Sequence, residues 1–250
     1  MTKGFYNLTS GMLSQSRRLD VVANNMTNLA TPGYKAELYT DSTFDEVLMS
    51  RVGNKDKSGA VEIGEESYIL APSQFYVDYS MGILEETGLN LDFAIQGDGF
   101  FAIQTENGTE YTRGGSFALD EAGYLVLPGQ GRVLGVDGQP IYLSTDLIRA
   151  DSYGGIYTQD GGYLGRIGVF TFADNNQLVK NDSGLFGANG QAATPANTEV
   201  RWQTVENSNV DMIEEMSRMM TAQRALQSAA QAIKLYDGIL TKATNDLGRL

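Results

Sequence analysis

Apolar residues recur at every seventh position through the last forty residues: Met212, Met219, Leu226, Ile233, Leu240 and Leu247. Ala222, Ala229, Tyr236 and Ala243 follow four of them at a spacing of three. Keeping the a and d positions of a seven-residue repeat apolar gives a helix one continuous seam. The first thirty residues take the same step through Phe5, Met12, Leu19 and Met26, interleaved with Leu8, Val22 and Leu29. Two apolar stripes at opposite ends of a chain are useful only if they bury each other or a neighbouring molecule's copies. The pattern therefore predicts an assembly protein.

Helix one is expected over about Gly4 to Asn28. Thr31-Pro32-Gly33 ends it, because proline disfavours helix in the residue before it and glycine permits a reversed backbone. A short second helix is expected over Ser42–Met49, then an exposed linker or hairpin tip from Gly53 to Gly59. From about Ile69 to Arg201 the pattern changes to short β-favouring runs broken by Gly, Asn and Asp, such as Phe100-Phe101-Ala102-Ile103 and Gly168-Val169-Phe170-Thr171-Phe172. Phe101–Phe117 and Phe170–Phe186, offset by 69 residues, both read as a hairpin closed by a Gly-x-Phe corner with the aromatic tucked beneath. Asn207-Ser208-Asn209 then supplies an N-cap cluster, and Asp211, Glu214 and Glu215 fall where the helix dipole favours acids. A helix from Val210 to Leu247 would be on the order of 55 Å long, too long for one compact domain, so it should protrude or lie along a partner.

The expected fold is mixed α and β: long terminal helices forming a coiled-coil domain, plus a Gly-rich all-β middle domain. Residues 1–35 and 206–250 supply the helices of the coiled-coil core domain. Residues 36–68 connect, with a short helix and a hairpin or linker, and residues 69–205 form the β-rich outer domain.

Charge sharpens this division. Residues 1–35 carry a net +3, residues 36–200 a net −16, and residues 201–250 none. An acidic middle keeps an exposed surface soluble and repels phosphate backbones, so nucleic-acid binding is not expected. No apolar run approaches the ~18 residues of a membrane span, and the N-terminus does not read as a cleaved signal peptide.

The 250 residues contain no cysteine and no histidine, which removes disulfides, thiolate and imidazole metal sites, and every triad with a histidine base. Gly97-Asp98-Gly99 lacks the spacing of a phosphate loop and reads as a tight turn into the Phe100-Phe101 strand. Asp137-Gly138, Asp160-Gly161-Gly162 and Asp174-Asn175-Asn176 do not match the calcium-loop ligand series and read as turns. Glu65-Glu66, Glu85-Glu86 and Asp120-Glu121 are the paired acids a wall-cleaving glycosidase would need, but neighbours in sequence need not share a cleft. An adhesin-like β domain on a stalk is a further alternative, although such stalks sit at one terminus. Trp202 reads as a core anchor ahead of the last helix. Met212, Met216, Met219 and Met220 read as an adaptable, intermolecular helix core.

Three motifs carry a family resemblance. The first is Leu19-Asp20-Val21-Val22-Ala23-Asn24-Asn25 with Asn28, Thr31, Gly33, Tyr34 and Lys35. The second is Gly97-Asp98-Gly99-Phe100-Phe101 with Tyr111-Thr112-Arg113. The third is Asn207-Ser208-Asn209-Val210-Asp211 with Glu214-Glu215-Met216. Their order resembles that of flagellar rod and hook proteins. The resemblance implies an axial subunit that needs no enzyme activity, metal or cofactor. It implies export through the flagellar type III apparatus without a cleaved signal, to a basal body outside the cytoplasmic membrane and with no membrane insertion. Implied partners are copies of itself and other rod and hook subunits. Assembly contacts are expected at Phe5, Leu8, Met12, Leu19, Val22, Met26, Leu29, Met212, Met216, Met219, Leu226, Ile233, Leu240 and Leu247. Gly165-Arg166-Ile167 through Ser183-Gly184-Leu185-Phe186 resembles proximal rod proteins most, whereas Gly97–Phe101 is closer to distal ones.

Overall fold

The computed structural model describes residues 2–43, 47–51, 61–66, 70–106, 108–181, 183–191 and 193–247. Helix α1 spans Thr2–Thr27 and helix α2 spans Met212–Leu247, with the β-rich segment between them. Contacts divide the chain into two units. One holds residues 1–26, 37–76 and 211–250; the other holds 27–36 and 77–210.

In the helical unit, the strand Glu37–Thr43 pairs with Leu70–Val77, and Val47–Arg51 pairs with Val61–Glu66. This corrects the helix expected over Ser42–Met49: the described residues there are strand, and Phe44 to Glu46 lie outside the description. Thr40, Thr43 and Val47 are β-branched, and a pairing partner outweighs the weak local helix preference. The hairpin tip expected at Gly53–Gly59 lies outside the described residues.

The β unit is built around the strand Phe100–Thr105. It forms a hairpin with Gly108–Thr112, in register Phe101↔Thr112 and Ile103↔Glu110. Its other edge is shared between Val169–Thr171, which meets Phe100 and Phe101, and Gly131–Val133, which meets Ile103 and Gln104. Side chains alternate across a strand, so the unbroken apolar run Phe100-Phe101-Ala102-Ile103 buries both faces. Phe101 and Ile103 join Phe93, Ile95, Leu125, Ile156 and Ile167 in the larger core. Phe100 and Ala102 join Tyr111, Leu134, Leu178 and Phe186 in a second core on the opposite face. Each fully buried side chain of this size contributes about 1.5–3 kcal/mol.

The expected repeat is half present. Its first copy is the Phe100–Thr112 hairpin. In the second, Val169–Thr171 pairs with Thr194–Pro195 instead of turning back on itself, and Val179–Lys180 pairs with Phe186–Gly187. Asp174 explains the difference: its carboxylate accepts from Asn176 N and caps a 3-10 turn, Asn175–Gln177, which redirects the chain. Both corner aromatics, Phe117 and Phe186, are buried. Trp202 packs on the larger core and donates its indole N–H to Asn90 O at 2.8 Å.

Gln203 has φ +56 and separates two short strands. Glu199–Trp202 pairs with Phe93–Gln96, and Thr204–Glu206 pairs with Leu84–Glu86. This left-handed residue lets one extended stretch change partners just before the C-terminal motif. It sets the position of Glu206.

Candidate functional site

Residues 31–35 of the first motif, the central motif and residues 207–210 of the third meet inside the β unit. After α1, Thr31 N donates to Asn28 O and Tyr34 N to Thr31 O, closing the turn that the Thr-Pro-Gly sequence predicts. Gly33 takes φ +70, and a Cβ there would lie 2.1 Å from the Gly114 nitrogen. Only glycine satisfies both the dihedral and the backbone-on-backbone approach. Gly33 N then donates to Glu206 O at 2.6 Å.

This approach delivers Lys35 to a buried ionic cluster. Its Nζ donates to Glu206 Oε1 at 2.6 Å and to Ser80 O at 2.5 Å. Arg113 Nη1 donates to Glu206 Oε2 at 3.3 Å, and Nη2 to Gly97 O at 2.7 Å. Gly82 N donates to Glu206 Oε1 at 2.9 Å. Side-chain exposure is 1% at Lys35, 0% at Glu206 and 4% at Arg113. Burial pulls the Lys35 ammonium and the Arg113 guanidinium below their ordinary ranges, and the Glu206 charge opposes that pull at both. The guanidinium carbon also lies 5.5 Å from the centre of the Phe100 ring.

A polar ring surrounds the cluster. Asn209 Oδ1 accepts from Ala36 N at 2.8 Å while its Nδ2 donates to Asp78 O at 2.8 Å. Asn207 N donates to Ile83 O, and its side chain to Glu85 Oε2. Lys180 Nζ stands 3.9 Å over the Tyr34 ring. Tyr34, Ala36, Val210 and Leu29 form a small apolar cluster. The segment following α1 and the segment preceding α2 are thereby fastened side by side within one unit.

Asn25 does comparable work in the helical unit. Its side chain accepts from Glu37 N at 2.9 Å and donates to Glu37 O at 2.8 Å, imitating a strand partner. Ser14 and Arg18 both donate to the Asp41 carboxylate. Val21 and Val22 are buried beside them. Ala23 and Asn24 are exposed, Asn28 is half-buried and Thr31 is exposed. In the central motif Gly97 and Asp98 are exposed, while Gly99, Phe100 and Phe101 are buried. Thr198 donates to Asp98 O, fixing the turn.

Most of the expected assembly residues stay partly in solvent. On α1, Phe5 is exposed, Leu8, Met12, Leu19 and Met26 are half-buried, and Val22 is buried. On α2, Met212 and Met216 are exposed, while Met219, Leu226, Ile233 and Leu240 are half-buried. Leu247 ends α2, and its side chain lies outside the description. The sequence reading missed Ile213, Leu235 and Ile239, which are exposed apolar residues off the a and d positions. Ile213 is 81% exposed and Leu235 71%. It also missed Glu206, whose one sequence signal is an acid inside the β-favouring run Thr204-Val205-Glu206. Of the paired acids of the glycosidase alternative, Asp120 accepts from Arg132, and Glu85 from Asn207.

Comparison with known proteins falls on the same three segments. The family described as flagella basal body rod protein matches residues 5–35. The flagellar hook protein FlgE/F/G D1 domain matches 94–189. The flagellar basal body rod FlgEFG protein C-terminal family matches 203–247. The flagellar basal-body rod protein FlgG of Bacillus subtilis (strain 168) is 35% identical over 98% of this chain and 99% of its own length. This chain belongs to the flagellar basal-body rod protein family. The rod protein FlgF of Mesorhizobium japonicum is 31% identical over 99% of both chains. The hook protein FlgE of Treponema pallidum is 32% identical over 56% of this chain but 31% of its own length. Like these rod proteins, the chain is a structural subunit. Each matched family region contributes one member of the ionic cluster: Lys35, Arg113 and Glu206 in turn. No helix of the described residues is long and apolar enough to cross a membrane.

Proposed function

We propose that this rod-family chain assembles helically in the proximal part of the flagellar basal-body rod. There it carries torque from motor to hook and lines the channel through which later subunits are exported. The observation that supports this most is the state of α2. A 36-residue helix keeps Leu226, Ile233 and Leu240 half in water and Ile213, Leu235 and Ile239 largely exposed. Burying each such side chain is worth about 1.5–3 kcal/mol, a driving force the free chain leaves unused. Packing the α1 and α2 seams as coiled coils with neighbouring copies and other rod and hook subunits would use it. Contacts that do not close on themselves propagate as a helix.

The acidic middle would face outward, and export through the type III apparatus without a cleaved signal would deliver the chain. The resemblance of Gly165 to Phe186 supports the proximal position. The distal alternative draws support from the Gly97–Phe101 motif. Coverage of only 31% of the hook relative's length disfavours a hook subunit.

Leu226→Asp and Ile233→Asp are expected to abolish rod assembly and swimming while the β unit stays folded. Normal swimming by either variant would remove the seam from this reading. Cryo-electron microscopy of isolated basal bodies would place the subunit along the rod.

A further inference from the structure

We infer that Lys35, Arg113 and Glu206 are positioning residues: their ionic cluster sets where the two terminal segments leave the β unit, and it contributes little net stability. Three observations carry this. The cluster is almost wholly dehydrated, with side-chain exposures of 1%, 4% and 0%. A buried ion pair gains little over apolar groups of the same size, because dehydration offsets most of the attraction, whereas leaving one partner alone is severely unfavourable. Its geometry is directional: Glu206 divides its two oxygens between Lys35 and Arg113, and it also accepts Gly82 N. An apolar contact tolerates sliding; a carboxylate held by two cations and an amide tolerates one arrangement.

The third observation is topological. Lys35 lies eight residues past the end of α1 and Glu206 six residues before the start of α2. Arg113 belongs to the body, tied to Gly97 O and stacked near Phe100. The cluster thus registers both helix roots against one fixed point. Arg113 Nε, buried and without a hydrogen-bond partner, is a cost accepted for that placement. In an assembly whose contacts repeat, holding both terminal segments at one fixed place within the β unit has more value than an equal amount of stability.

The test uses the full chain, whose lack of cysteine makes two introduced thiols the sole labelling sites. Spin labels at Ala30→Cys and Thr109→Cys, both exposed positions of the β unit, report the distance between the segment after α1 and the body. Measurements are made well below each variant's unfolding midpoint. The parent chain is expected to give one narrow distance distribution. Glu206→Gln, which strands two buried cations, should lower the unfolding midpoint and at least double the width. The triple variant Lys35→Met, Arg113→Met, Glu206→Leu should unfold at a higher midpoint than Glu206→Gln yet keep the broad distribution. A narrow distribution in the triple variant overturns the inference. So does a triple variant less stable than Glu206→Gln, or a Glu206→Gln chain indistinguishable from the parent. The consequence for assembly rests on the rod reading, but the distances are taken on the free chain and stand or fall without it.

Discussion

Glu206 accepts the Lys35 ammonium at 2.6 Å across 171 residues of sequence, with both side chains enclosed. Removing one member of such a pair leaves an uncompensated buried charge. Lys35→Met is therefore expected to cost about 3–5 kcal/mol, partly offset because Arg113 still faces Glu206. Urea unfolding of the full chain measures this, and a loss under about 1 kcal/mol would mean that water reaches Glu206.

Gly33 and Gly238 make opposite predictions. A methyl group on Gly33 meets the Gly114 backbone and a positive φ together, so Gly33→Ala should destabilise on the order of 3 kcal/mol. Gly238 lies within α2 with nothing near its missing Cβ. Gly238→Ala should stabilise that helix by about 0.5–1 kcal/mol. Circular dichroism during denaturation reads both signs.

Asn25→Ala strips the Glu37 N–H and C=O of their side-chain partners at one stroke. Losing a hydrogen bond at such a part-buried group costs about 0.5–1.5 kcal/mol. The expected signature is faster amide exchange at Glu37 and along the strand it begins, with the β unit unaffected. Unchanged exchange at Glu37 would show that Asn25 is not its protecting partner.

Tyr79 packs its ring edge-on to Phe100 at 5.9 Å and against Phe186 at 5.6 Å. Burial, reinforced by the Asp174 charge, raises its phenol from 10.0 to about 12. The folded state thus holds the proton more tightly than the unfolded chain. Its contribution is complete below pH 10 and is lost as pH rises from there towards about 12. Tyr79→Phe should flatten that part of the stability profile, and ultraviolet titration of phenolate should lose a tyrosine that ionises at about 12. A profile equally steep in the variant would assign the effect elsewhere.

Much of this was legible in the residues. The period of seven marks the terminal helices because the residues that define it are near neighbours. Thr31-Pro32-Gly33 marks the end of α1 because its dihedral restrictions are local. The strand Phe100–Thr105 is visible as an apolar run because both of its faces are buried. The Ser42–Met49 stretch misled because its partner strands lie outside its local window, at Leu70–Val77 for Ser42 and Thr43 and at Val61–Glu66 for Val47 to Met49, and pairing overrides a weak preference. The second half of the repeat misled because one carboxylate, Asp174, turns the chain before a hairpin can close.

The sequence by itself determined the ordering of helix, sheet and helix, the family and the absence of thiol and imidazole chemistry, all properties of residue type and short-range spacing. Only the tertiary structure decided that Lys35, Arg113 and Glu206 share one dehydrated cluster, that Asn25 serves as a strand partner to Glu37, and that the apolar surface of α2 extends beyond its heptad seam. Those facts depend on which distant segments exclude water together. A charge buried at 0% exposure reads, along the chain, like any charge on the surface.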